Sequence, residues 1–124
     1  MLRPAKPLRI LVVDAVQSTA QALTVVLIEH GYDASPACNA AEAFVWSRVN
    51  RPDVVIVNAV LGHSNGIRLA ENIVKGQPGC KALVLAEAPI AERLIDASPW
   101  LEDPFPVLAK PIDPRAVLDI LASI

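Results

Sequence analysis

The chain has 124 residues, enough for one domain with a core of its own. Hydrophobic residues make up 53% and charged residues 19%, which excludes an intrinsically disordered chain. The formal net charge is −2 with no basic cluster, against direct nucleic-acid binding, and no uncharged stretch is long and apolar enough for a membrane span.

Residues 1–8, with Pro4 and Pro7, read as a lead-in arm, and 9–124 as one domain. The apolar run after Arg3, Lys6 and Arg9 is broken by Asp14, unlike a signal peptide. A cytoplasmic chain is expected, with Cys38 and Cys80 as free thiols that fit no metal spacing. Arg9 to Asp14 is a continuously apolar first strand ending at an acid. Ser18-Thr19-Ala20-Gln21 has the spacing of a capping box and opens a helix with Leu23, Val26, Leu27 and His30 on one stripe, ended by Gly31. Tyr32 to Ala37 is a weaker strand that Pro36 assigns to an edge. Asn39-Ala40-Ala41-Glu42 caps a second helix, which runs to about Val49. One of its faces carries Ala40, Ala43, Phe44 and Ser47, and an offset one carries Val45, Trp46 and Val49.

The third strand, Val54 to Asn58, is β-branched throughout Val54–Val57, as suits burial on both faces of a parallel sheet. A short loop with Gly62 leads to Asn65, the cap of a helix with Ile67, Ala70, Ile73 and Val74. Lys81 to Leu85 is the fourth strand, and Glu87 to about Ala97 a helix with Pro89 in its first turn. Ser98 to Pro106 is irregular, with prolines at 99, 104 and 106. Val107 to Ala109 is a short fifth strand. Asp113-Pro114 opens a last helix with Val117, Ile120, Leu121 and Ile124 on one stripe. Five strands alternating with five helices predict a doubly wound, flavodoxin-like α/β fold in strand order 2-1-3-4-5. In such a sheet chemistry sits beyond the carboxyl ends of the strands, which makes Asn58 a residue of the functional edge.

The order of these features is similar to the receiver domain of two-component response regulators. They are Val12-Val13-Asp14, Pro52-Asp53 before a strand ending at Asn58, Gly62 to Gly66, and Lys110-Pro111 followed by Asp113-Pro114. The likeness runs from about Arg9 to Ile124. It implies phosphoryl transfer to an aspartate at the end of the third strand, with a divalent cation held by acids and a carbonyl, and with a lysine and a hydroxyl on the product's oxygens. Asp14 and Lys110 match that set, and Val60 offers its carbonyl. Ala15 stands where the second acid belongs, Asn58 at the acceptor, Ala86 at the hydroxyl and Val107 at the aromatic switch position.

An amide is a poor nucleophile, and one carboxylate is too little for Mg²⁺. The resemblance therefore implies a degenerate receiver with no catalytic residue, no metal and no cofactor. It would act as a protein–protein interaction module in two-component or phosphorelay signalling. The partner is a signalling kinase, a regulator, an output domain or a second copy, and not a nucleic acid or a membrane. Asp14 and Lys110 are expected as an ion pair. Asn58 is a drifted remnant or a hydrogen-bond partner of Lys110; Glu87 could reach the rim, and His63 is a solvated loop histidine. Trp100, Leu101, Phe105 and Val107 form the expected partner surface, on a segment slightly longer than the receiver pattern. Phe105 reads equally as a filler beside Ala86 and Val107, and Trp46 is a rival contact. Two readings stay open beside this one. The first is an active receiver using Asp14 or Asp53. The second is a small-ligand module, against which stands Asp14-Ala15-Val16-Gln17 where a Gly-rich phosphate loop would be.

Overall fold

The structure, a computed structural model, describes residues 6–101 and 103–124. Most of the expected arm, residues 1–5, and Glu102 of the expected partner segment lie outside them. Five parallel strands form one sheet: β1 (Arg9–Val13), β2 (Asp33–Ala37), β3 (Val54–Asn58), β4 (Lys81–Glu87) and β5 (Val107–Lys110). Their order is β2-β1-β3-β4-β5, the expected flavodoxin-like order, with β2 at one edge. Alternation along the strands splits the core in two. Ile10, Val12, Val54, Ile56, Leu83 and Leu85 face helices α1 (Gln17–Glu29) and α5 (Pro114–Ala122). Leu11, Val13, Val55, Val57, Val84 and Ala86 face α2 (Ala40–Asn50), α3 (Gly66–Gly76) and α4 (Ala88–Ala97).

Three helix starts follow the local chemistry. Asn39 accepts from the Glu42 N–H at 2.8 Å, Asn65 from Ile67 and Arg68 at 2.9 and 3.1 Å, and Asp113 from Arg115 at 3.0 Å. Ser18 does not cap α1, which starts one residue before it and has no side-chain cap. Asp14 takes the Val16 N–H at 3.0 Å, and this turn brings the chain into the helix early. The buried line of α1 is Ala20, Thr24 and Leu27, with Leu23 and Val26 half-buried and His30 exposed. Thr24 can face inward because its hydroxyl donates to the Ala20 carbonyl at 2.7 Å. Gly31, at φ +91°, ends the helix as expected.

Four other boundaries differ from the sequence reading. β4 runs two residues beyond Leu85, because Ala86 and Glu87 pair with Ala109 and Lys110 of β5, and it enters α4 without a loop. The loop after β3 holds a two-residue hairpin, Val60–Leu61 against Ser64–Asn65, turning at Gly62 with φ +58°. Ser98–Trp100 is one turn of 3₁₀ helix. Ile124 lies past the end of α5 and is exposed. On α2 the buried residues are Ala43 and Ser47; Trp46 packs on the core, while Val45 and Val49 are exposed.

Both cysteines are free, as expected. Burial, with the Asp53 charge adding to it, pushes the Cys80 thiol up to about 11, so its thiolate is scarce at neutral pH. Iodoacetamide at about pH 8 should therefore label the half-buried Cys38 of the native protein and reach Cys80 only after denaturation. Mass mapping checks this; equal labelling rates would contradict the burial of Cys80.

Candidate functional site

The carboxyl ends of β1, β3, β4 and β5 bring Asp14, Asn58, Ala86 and Lys110 to one edge of the sheet. Asp14 sits just past β1, 3% exposed, with its N–H on the Ala37 carbonyl at 3.1 Å. Both of its carboxylate oxygens are engaged. Oδ1 accepts from Val16 N–H, and Oδ2 accepts from Lys110 Nζ at 3.0 Å. The Asp14–Lys110 pair is largely buried, with 4% and 17% side-chain exposure, and is the ion pair expected from the sequence. Removing one member of such a pair leaves the other charge poorly solvated, so both are held.

Asn58 closes the other half of the pocket, but not through Lys110. Its Nδ2 donates to the Val60 carbonyl at 3.0 Å. Only the amide nitrogen can make this bond, because a carbonyl oxygen only accepts. An aspartate at this position could not make it at neutral pH. The Val60 carbonyl is thus already paired with the Asn58 side chain.

These residues do not fit the divalent cation that the receiver resemblance implies. Mg²⁺ gives up water reluctantly and binds through charged oxygens. Here the one carboxylate already accepts from Val16 and Lys110, the Val60 carbonyl accepts from Asn58, and Ala15 is exposed with no ligand to give, so a cation would find one charged group and compete for it with Lys110. Among the described residues no group of three or more metal-ligating side chains converges. Glu87 is exposed and makes no ion pair with Lys110. Ala86, buried at 1% exposure, gives the edge no hydroxyl.

Asp14 accepts from Val16 and Lys110, and Asp53 precedes β3 at the opposite edge, accepting from the Arg9 N–H at 2.8 Å. His63 is exposed in the hairpin turn.

The expected partner segment divides. Trp100 is 88% exposed and Leu101 54%, with Ile95 of α4 exposed nearby in sequence. Phe105 and Val107 instead pack, with Ile90 and Leu94, on the core cluster that contains Ala86 and Ala91. Phe105 and Val107 are half-buried, with core contacts on one side, while Trp100 stands on the surface. The Asn58–Val60 bond was not anticipated in the sequence reading, although an amide two residues before a free carbonyl in a turn is a recognisable signal.

The sequence profile of the response regulator receiver domain matches residues 10–122. No curated relative matches the sequence. Among solved structures the chain is similar to the Vibrio cholerae chemotaxis protein CheY4, with TM-score 0.81 and 21% identity over 95% of this chain and 98% of that one. It is also similar to a CheY-like receiver domain protein from Methanospirillum hungatei, with TM-score 0.80 and 22% identity over 94% and 92%. A third likeness is to a two component transcriptional regulator AraC from Clostridium phytofermentans, with TM-score 0.77 and 25% identity over 94% and 90%.

Proposed function

The chain belongs to the response regulator receiver domain family, and from that premise we propose that it is a receiver that does not accept a phosphoryl group. It serves two-component signalling as a protein–protein interaction module, without catalysis of its own. The observation that carries this reading is the hydrogen bond from the Asn58 amide to the Val60 carbonyl. It supports the reading because an amide, a poor nucleophile, stands at the position the family reserves for the acceptor and donates to the carbonyl a cation would use. The buried Asp14–Lys110 pair supports the same reading, because it keeps the two remaining family residues bound to each other.

With no phosphoryl switch, output comes from a surface that is always presented or is controlled by binding. Trp100 and Leu101 supply one, beside the end of α4. A large exposed aromatic contributes most where a partner desolvates it, and truncating such an anchor costs ~2 kcal/mol or more of binding. The partner is a kinase, another regulator, an output domain or a second copy.

Trp100→Ala tests the surface. Thermal stability should stay within about 0.5 kcal/mol, as for other exposed positions, while self-association or partner binding weakens. Intact association would move the output surface elsewhere.

A further inference from the structure

We propose that the groove between α1 and the β5–α5 junction binds a small, mainly apolar molecule ending in a hydrogen-bond acceptor, a ketone or a carboxylate, seated against Lys110. The proposal stands on the groove itself and holds whether or not the domain takes a phosphoryl group.

The groove has a volume of about 360 Å³, within the ~300–1,000 Å³ of small-molecule sites. Leu23 and Val26 of α1 form one wall, and Ile112 and Pro114 the other, over a floor of Val12 and Leu85. The floor residues are only 2% and 4% exposed, so the groove is bounded mainly by its two walls. The exposed Ala22 on α1 leaves it open, where a larger side chain would fill it.

One end is polar. Among the described residues, Asp14 and Lys110 are the only charged ones lining the groove, and they neutralise each other. A nucleotide or a phosphorylated ligand would meet no surplus positive charge there. The pair is also asymmetric in what it still offers. Asp14 has both oxygens engaged, whereas Lys110 Nζ makes one hydrogen bond, to Asp14, out of its three donors. The polar end therefore presents donors inside a largely buried site, and an acceptor is the group that answers them. An apolar body with one acceptor at its end matches both ends of the groove.

The test titrates the isotope-labelled full chain with three probes of one chain length: hexyl methyl ketone, octanoate and octylammonium. The ketone and octanoate should shift the amides of Ala22, Leu23, Val26 and Ile112 saturably. Octylammonium, which brings only donors, should bind about tenfold more weakly, the worth of one such hydrogen bond. Ala22→Trp, from an exposed position on the groove's rim, should abolish the shifts. Three results would overturn the proposal: no saturable shift with either acceptor probe, shifts centred on Trp100 and Leu101, or octylammonium binding as well as the ketone. The ranking of the probes on the unaltered chain decides the matter even if Ala22→Trp fails to fold.

Discussion

Gly66→Ala is expected to destabilise the domain by about 3 kcal/mol or more, the upper range for forcing extra volume into a packed site. Gly66 opens α3 where that helix meets the end of β3, and its N–H donates to the Ala59 carbonyl at 2.8 Å. Its backbone conformation is ordinary, so the constraint is space. A Cβ there would run into the Asn58 carbonyl oxygen, lying 2.9 Å from the Asn58 carbonyl carbon and 3.1 Å from Val57 Cγ2. Two of these neighbours are backbone of a central strand, which cannot move without disturbing pairing with β4. Urea unfolding measures the loss. An unchanged midpoint would mean that α3 does not approach β3 so closely.

The second large effect concerns the pocket. Asn58→Asp alone should lower stability by about 1–2 kcal/mol, because it removes the donor to Val60 and turns a carboxylate toward a carbonyl. It should also leave the melting temperature insensitive to Mg²⁺, since Ala15 still supplies no charge. Asn58→Asp combined with Ala15→Asp brings charged oxygens to the carbonyl together. This double variant should be stabilised by Mg²⁺, by about 2.7 kcal/mol at a cation concentration 100-fold above Kd. Residues that act as one unit are strongly non-additive, so the two single substitutions should not sum to this effect. Mg²⁺ stabilisation of Asn58→Asp alone would contradict the geometry described for Val60 and Asp14.

The fold was legible in the sequence where the signals were local. The apolar runs of β1 and β3, the caps Asn39, Asn65 and Asp113, and Gly31 after α1 each depend on a few adjacent residues, and each stands where the pattern placed it. Ser18 misled because Asp14, four residues earlier, started the helix by another route. The end of β4 was hidden because its last two residues are held by β5, a distant stretch of chain.

The candidate site was legible in its members and in the Asp14–Lys110 pair, but not in the partner of Asn58. Lys110 and Val60 are both chemically suitable acceptor or donor neighbours for an amide, and only the path of the chain after β3 selects Val60. The offset face of α2 was half legible: Val45 and Val49 are exposed, yet Trp46 turns to the core. The groove was not legible at all, since its walls come from α1 and the β5–α5 junction, which only the fold brings together.

The central claim is that the Asn58 pocket does not accept a phosphoryl group, and intact mass spectrometry after incubation with phosphoramidate or acetyl phosphate and Mg²⁺ tests it most directly. The account predicts an unchanged mass. A gain of one phosphoryl group that alkali or hydroxylamine removes and that is lost on substituting Asp14 would contradict it.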